Sequence, residues 1–325
     1  MSQPLLEVKS MSKYFPIRGG VLKRVIGQVK AVDQVSFTIR EGETFALVGE
    51  SGCGKSTTGR TVMRLLDPTE GQVLFQGKDI AHLSRKELRM ARRDLQMVFQ
   101  DPYASLNPTM TVGQLIEEPM RIHGIGTGRE RKDKVLSLME TVGLNGAYIQ
   151  RYPHEFSGGQ RQRIGLARAL ALNPKLIIAD EPVSALDVSI QSQVLNLMED
   201  LQDQFKLTYI FISHDLSVVK HISDRVGVMY LGRMAEIAPK DDLYRRPAHP
   251  YTQALLSAVP VPNPKRKNER IVLTGDVPSP ANPPRGCAFH PRCPKVMDRC
   301  KVDRPELQRI GEDHFVACHL FDEQG

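Results

Sequence analysis

Thr44-Phe-Ala-Leu-Val48 runs straight into Gly49-Glu-Ser-Gly-Cys-Gly-Lys-Ser-Thr57, and this join decides how the chain is read. The first run suits a strand buried on both faces. The spacing Gly49-x4-Gly54-Lys55-Ser56 follows, and over 59–66 apolar residues recur at helical spacing until Asp67-Pro68 stops them. Glycines in such a turn let consecutive N–H groups point into one hollow, because no Cβ stands in the way. The helix behind adds its positive end. Within Gly49, Ser51, Gly52, Cys53, Gly54, Lys55, Ser56 and Thr57, Lys55 is set to neutralise phosphate oxygens. Ser56 offers a hydroxyl to Mg²⁺, and Thr57 donates to a further phosphate oxygen. Cys53 reads as a small filler of the loop, with a redox role there as the alternative.

Working outward, Leu176-Ile-Ile-Ala-Asp180-Glu181 is a second buried strand with Asp180 at its C-terminal edge, where parallel sheets gather their ligands. Asp180 suits the Mg²⁺ shell, and Glu181 suits an attacking water. Two acids at a strand end also fit a solvated loop, but the apolar run before them and the phosphate loop upstream favour the chemical reading. A third strand, Thr208-Tyr-Ile-Phe-Ile-Ser213, follows a helical pattern over 190–201. Strand, helix, strand with continuous apolar strands predicts an α/β fold with a parallel sheet covered on both faces. Shorter β-type runs, Leu6-Glu-Val8 and Val35-Ser-Phe-Thr-Ile39, precede it, and 110–171 reads mostly helical, with a loop over 124–128. In that region Phe156-Ser157-Gly158-Gly159-Gln160 opens an Arg-rich helix, whose unpaired N–H groups and dipole make a further anion site. One terminal phosphate uses both sites only if the second comes from another subunit or from a large fold-back.

With 325 residues, 41% hydrophobic and 25% charged, the chain has ordinary globular composition and room for roughly two domains. Its apolar runs are strand-length, short of the roughly 18 residues that span a bilayer. The start, Met1-Ser-Gln-Pro-Leu-Leu-Glu-Val-Lys9, lacks a basic flank before an apolar core, so no secretory signal is expected and the chain reads as cytoplasmic unless held at a membrane. Net charge is +7, and 261–304 alone holds ten Lys/Arg against four Asp/Glu, or +6. Such a segment suits nucleic acid, an anionic membrane face or plain solvation. Prolines crowd from Pro260 to Pro284, which places a boundary near 260. Beyond it lie four of the five cysteines, spaced Cys287-x5-Cys293-x6-Cys300-x17-Cys318. In a reducing compartment clustered thiols read as metal ligands before disulfides. The spacing is not the tight pair of zinc ribbons or bacterial ferredoxins, and leaves zinc, an iron–sulfur cluster and unliganded thiols open.

Taken together, residues 5 to 260 resemble the nucleotide-binding subunit of an ABC transporter. The resemblance implies a P-loop ABC ATPase with a RecA-like parallel-sheet core, an antiparallel β segment and a helical subdomain over about 101–165. It also implies that Ser157, Gly158, Gly159 and Gln160 cap the ATP held by a partner's phosphate loop. Gln100, closing Leu95-Gln-Met-Val-Phe-Gln100, matches the Gln that senses Mg²⁺ and couples to the membrane subunit. Asp187 of Ser184-Ala-Leu-Asp187 matches a loop crossing the dimer interface, and His214 a contact to the γ-phosphate. Phe15 matches the aromatic that stacks on adenine, with Tyr14 beside it able to take that place. Phe156 departs from the usual Leu and is expected to serve as an apolar anchor.

Gln100-Asp-Pro-Tyr-Ala-Ser-Leu-Asn-Pro108, Pro182-Val-Ser-Ala-Leu-Asp-Val-Ser189 and His249-Pro-Tyr-Thr-Gln-Ala-Leu-Leu256 are similar to the peptide-importer branch, and within it to the second ATPase subunit. The branch implies domains 5–259 and 260–325, a second homologous ATPase as heterodimer partner, two membrane-spanning permease subunits and a separate extracytoplasmic peptide-binding protein. The expected place is the cytoplasmic face of the bacterial cell membrane, without nucleic acid as partner. Gly286-Cys-Ala-Phe-His-Pro-Arg-Cys293 and Val316-Ala-Cys-His319 match its C-terminal segment and imply a [4Fe–4S] cluster on Cys287, Cys293, Cys300 and Cys318, with Zn²⁺ as the alternative. His290, His314 and His319 are then spare ligands, and more readily groups that stand behind the ligands or lie exposed. The expected cofactors are ATP, Mg²⁺ and that cluster. The competing readings are a soluble ABC-type ATPase acting on nucleic acid or ribosomes, and a regulatory iron–sulfur protein with a degenerate ATP site.

Overall fold

A computed structural model describes residues 4–20, 23–259 and 271–322. Pro260, Pro262 and Pro264 of the proline-rich break, and Lys265, Arg266, Lys267 and Arg270 of the basic segment, lie outside the described residues. The chain forms two compact units, one of residues 1–39, 44–81 and 213–325, the other of 40–43 and 82–212. Among the described residues no helix is long and apolar enough to cross a membrane.

In chain order the first strands are β1 (Leu6–Gly19), β2 (Arg24–Ile39), β3 (Thr44–Val48), β4 (Glu70–Phe75) and β5 (Lys78–Asp79). β6 (Leu95–Val98), β7 (Leu176–Asp180) and β8 (Thr208–Ile212) belong to the second unit. The chain then returns to the first with β9 (Arg225–Tyr230), β10 (Arg233–Pro239), β11 (Gln308–Gly311) and β12 (His314–Val316).

In the first unit β2, β1, β4 and β5 make an antiparallel sheet in that order. β1 and β2 run well past the apolar pattern. Their inner halves are pinned by buried Leu6, Val8, Val35 and Ile39, whereas Val25 and Ile26 are exposed, so the outer halves form a solvated ribbon held by ladder hydrogen bonds. β3 and β9 pair in parallel from Phe45↔Arg225 to Val48↔Val228, and β9 turns through Leu231-Gly232 into β10. Both turn residues have positive φ (44° and 77°), which matches the twist of a tight hairpin. The helix Lys55–Val62 stops short of the predicted 66, because Arg64 (φ 51°) is left-handed and Leu65 and Leu66 donate back to the Arg60 carbonyl.

The buried Glu236 carboxylate of β10 accepts from the backbone N–H of Ala248 (2.8 Å) and His249 (2.9 Å) and meets His314 Nε2 at 2.8 Å, tying β10 to β12. The second unit packs β6, β7 and β8 in parallel, every residue of β7 and β8 buried. Helices Val112–Ile122, Gly128–Thr141 and Gly158–Leu170 each begin with a reciprocal capping box, on Thr111, Thr127 and Ser157. Phe156 is buried against the Tyr148 ring, the apolar anchor expected of it.

His249 caps the helix Pro250–Ser257, its Nδ1 accepting from Tyr251 N–H at 3.0 Å, which requires an unprotonated nitrogen there. Burial pulls this histidine from 6.5 down to about 4 against the opposing pull of Glu236. Below pH 6.5 the unfolded chain takes up a proton here that the folded chain refuses until about pH 4. Stability present above that interval is therefore lost through it, by about 3 kcal/mol at most. His249→Asn, which keeps a capping acceptor, is expected to flatten the fall of the thermal midpoint as pH drops through the interval.

Candidate functional site

The phosphate loop forms where β3 ends. Gly49 (φ 150°) and Gly54 (φ 104°) take backbone conformations that side chains resist, and a Cβ on either would strike backbone: the Met229 carbonyl oxygen for Gly49 and the Ala31 carbonyl oxygen for Gly54. Gly232 N–H donates to the Cys53 carbonyl at 2.8 Å, so the β9–β10 turn braces the loop. Lys55 is buried, and its ammonium donates to the Gly49 carbonyl at 2.8 Å and the Glu50 carbonyl at 3.1 Å. No side chain caps the helix Lys55–Val62, whose first N–H groups face the loop as an anion site requires. Ser51 and Gly52 are exposed at the tip, and Ser56 and Thr57 are half-buried on the first turn. Cys53 is buried and its thiol is pushed up by that burial against the pull of Lys55, so it stays protonated, a filler behind Gly49.

The same unit brings His214 and the two aromatics toward this loop. Ser213 N–H donates to the Leu47 carbonyl at 3.1 Å, setting the exposed His214 beside the end of β3. Tyr14 pairs across the ladder with Lys30, next to the Ala31 that abuts Gly54, and Phe15 pairs with Val29. The Tyr14 hydroxyl is already engaged, donating to Asp33 at 2.7 Å while Arg233 holds the same carboxylate at 2.9 Å. The Lys13 ammonium lies over the Phe15 ring, 5.3 Å from its centroid.

In the second unit Asp180 is fully buried at the end of β7, and Glu181 follows with φ 47°, a strained turn that its N–H bond to the Ile212 carbonyl (3.0 Å) holds in place. Gln100 Nε2 donates to Glu181 at 3.0 Å, which brings together two residues 81 positions apart in the sequence. Ser157 accepts from Gln160 N–H (3.3 Å) and Gln160 answers to Ser157 N–H (3.0 Å). This box was missed in reading the sequence, although Ser-x-x-Gln is its standing signal. It leaves Gly158 and Gly159 as the first-turn donors without an intrahelical acceptor. A Cβ on Gly159 would strike Ile190 and one on Gly158 would press Leu186, so these glycines also let the exposed Asp187 segment lie close.

All five cysteines are free. The four late ones share one neighbourhood: burial pushes Cys287 and Cys293 up, and Cys318 up to about 11, with the thiols of Cys287, Cys293 and Cys300 adding to the last. Gly286 (φ 64°) lets the chain pass the Cys300 carbonyl, to which Cys287 N–H donates at 2.8 Å. Four soft donors suit a thiophilic group. Yet among the described residues no three or more His, Cys, Asp or Glu side chains are placed to hold a metal ion. The cluster geometry expected from the sequence is thus not met among the described residues. The three histidines are hydrogen-bonded to protein groups and none is exposed, which fits the expected place behind the sulfurs and not the exposed one. His290 Nδ1 meets the Cys287 carbonyl, His314 meets Glu236, and His319 joins Asp322 and the Asp303 carbonyl.

The model of the ABC transporter family matches residues 32–184, and a model of the oligopeptide/dipeptide transporter C-terminal region matches 235–300. The ATP-binding cassette MJ0796, solved as a dimer in a post-hydrolysis state with ADP and Pi, is 29% identical over 72% of this chain and 98% of its own, with TM-score 0.64. CbiO1 from Clostridium perfringens, part of the transporter complex cbiONQ, is 26% identical over 75% and 92%, with TM-score 0.65. The fold and loops are those of an ABC-type ATPase, mixed α/β with parallel and antiparallel sheets.

More closely, the oligopeptide transport ATP-binding protein AppF of Bacillus subtilis is 62% identical over 98% of both chains. The putative oligopeptide transport ATP-binding protein YkfD of the same organism is 59% identical over 98% of this chain and 96% of its own. The chain belongs to this family of ABC peptide-transport ATP-binding proteins. ATP and Mg²⁺ are the cofactors expected of it.

Gly54→Ala tests the loop itself: its Cβ meets backbone that cannot swing aside, and the expected outcome is loss of nucleotide binding, read by titration with a fluorescent ATP analogue, while Gly52→Ala, which meets nothing within 4 Å and adds only the strain of its positive φ (79°), is expected to lose less.

Proposed function

We propose that this chain hydrolyses ATP to energise import of oligopeptides or dipeptides, docked at the cytoplasmic face of the cell membrane on two permease subunits served by a separate peptide-binding protein. The observation that carries this is 62% identity over 98% of this chain and 98% of an oligopeptide transport ATP-binding protein. Two such chains, this one and a homologous second subunit, sandwich two nucleotides; the dimeric cassette MJ0796 supports that arrangement. Residues 5–259 form the nucleotide-binding domain, with a helical subdomain over about 101–165, and 260–325 the peptide-importer module.

In this reading Lys55 and the backbone of Gly49, Ser51, Gly52, Cys53 and Gly54 cradle the phosphates, Ser56, Gln100 and Asp180 serve Mg²⁺, and Thr57 donates to a phosphate. Phe15 stacks on adenine, since the Tyr14 hydroxyl is committed to Asp33. Glu181 polarises the attacking water, held in aim by Gln100, and His214 contacts the γ-phosphate. Ser157, Gly158, Gly159 and Gln160 cap the partner's nucleotide, with Asp187 crossing between subunits. The exposed Phe99 and Tyr103 beside Gln100 suit an apolar contact with a permease.

Glu181→Gln is expected to bind ATP with little change and to turn over at least about a hundredfold more slowly, measured as phosphate release from the reconstituted transporter. Ser157→Ala together with Gly159→Ala is expected to lower turnover without removing binding to the chain's own loop. Peptide uptake into cells or vesicles should fall with both. Turnover as in wild type for Glu181→Gln would remove that residue from its role.

The four late cysteines are proposed to bind a thiophilic group, [4Fe–4S] by resemblance and Zn²⁺ as the alternative, whose ligation would supply much of the folding energy of a segment with a small apolar cluster of Val316, Cys318 and Ala248. Protein purified without oxygen is expected to carry iron and sulfide with broad visible absorbance, lost in Cys293→Ser along with order in the C-terminal segment. Stoichiometric zinc selects the alternative, and neither metal ends the proposal.

A further inference from the structure

Glu50, the second residue of the phosphate loop, is gripped from outside the loop. Arg292 gives it a two-pronged ion pair, Nη1 donating to Oε2 at 2.8 Å and Nη2 to Oε1 at 3.1 Å, across 242 positions of sequence. The Tyr251 hydroxyl accepts from Glu50 N–H at 2.9 Å. On the loop's inner side the Glu50 carbonyl, with that of Gly49, is where the Lys55 ammonium rests. One residue thus connects the cation that must meet phosphate with a guanidinium far along the chain.

Arg292 ends the short 3-10 turn His290–Arg292, between Cys287 and Cys293. Its side chain is only 8% exposed, with Glu50 at 28%, so the pair is shielded well beyond a surface salt bridge and its fork geometry fixes orientation as well as charge. The same stretch plants Phe289 among Tyr230 (5.2 Å between centroids), Tyr251 (5.3 Å) and His249 (5.6 Å). The segment therefore touches the Glu50 peptide twice, through Arg292 on its carboxylate and through Phe289 on the ring whose hydroxyl holds its N–H. Charge gives a second reason for the contact. Glu50 without a partner would set a carboxylate in a loop built to hold polyphosphate, and like charges repel there.

We propose that Arg292 is a positioning residue for nucleotide binding: by holding and neutralising Glu50 it sets the carbonyls that seat Lys55, and so makes the four-cysteine segment a working part of the phosphate loop. This rests on the reading of that loop as the ATP site.

The test is titration of the full-length protein with a fluorescent ATP analogue and Mg²⁺, with thermal midpoints measured alongside and Lys55→Ala as the control. Arg292→Met is expected to raise Kd about tenfold, and Arg292→Lys, which keeps charge without the fork, about threefold. Arg292→Met combined with Glu50→Gln is expected to regain most of the loss, because the stranded carboxylate is gone. A purely structural role for Arg292 would lower the midpoint without that regain. Wild-type affinity in Arg292→Met, or no regain in the double variant, overturns the proposal while the ATP site stands. If Lys55→Ala binds as tightly as wild type, the ATP reading of the loop fails first and takes the proposal with it.

Discussion

Lys55 is a buried ammonium resting on two carbonyl oxygens. Such a charge costs several kcal/mol to take from water unless something negative meets it, and dipoles alone return part of that. The loop is thus built around an electrostatic deficit that a phosphate anion removes. Everything near it serves to keep the deficit in place: glycines that let Met229 and Ala31 backbone press against the loop, the Gly232 N–H on Cys53, and the uncapped helix behind. A looser loop would let Lys55 reach solvent and relieve itself without a ligand.

Much of this was legible in the sequence because it is local. The strand Thr44–Val48, the glycine spacing and the helix after it are contiguous, and each carries its own signal. The buried strands β7 and β8 were readable for the same reason, as unbroken apolar runs. What could not be read was set by partners distant in sequence or by single backbone turns. Nothing in 59–66 says that Arg64 will go left-handed and end the helix early. Nothing in the outer halves of β1 and β2, where Val25 and Ile26 lie exposed, says that they stay paired as a solvated ribbon, since their ladder bonds leave no mark on hydrophobic patterning. Gln100 meeting Glu181 was not read from the sequence at all, because a spacing of 81 residues has no local physics.

The cysteine segment shows how far composition misleads about a small module. Three histidines interspersed with thiols suggest spare ligands, yet all three are spent on protein: on a carbonyl, on buried Glu236, and on Asp322 with the Asp303 carbonyl. A donor committed to a second partner is not spare, and the sulfurs are left as the set a thiophilic ion would find. Burial raises the proton affinity of Cys287, Cys293 and Cys318, so a thiophilic ligand there would displace protons as it binds, and its occupancy would depend on pH as well as on metal supply.

The Ser157 helix start carries two duties at once, and they constrain each other. The reciprocal bond with Gln160 fixes the helix entry, while Gly158 and Gly159 permit Leu186 and Ile190 to approach within reach of the helix backbone. Their smallness is therefore required for packing inside this chain before any nucleotide arrives. The missing side chains also keep Cβ bulk off the helix start, where the positive end of the dipole would meet a phosphate in the proposed reading. Moreover, Asp187 is both the exposed end of that packed segment and the first residue before the helix Val188–Phe205, with Leu186 and Ile190 on either side of it packed at the glycines. Because packing and anion binding draw on the same two missing side chains, the position cannot be tuned for one without the other.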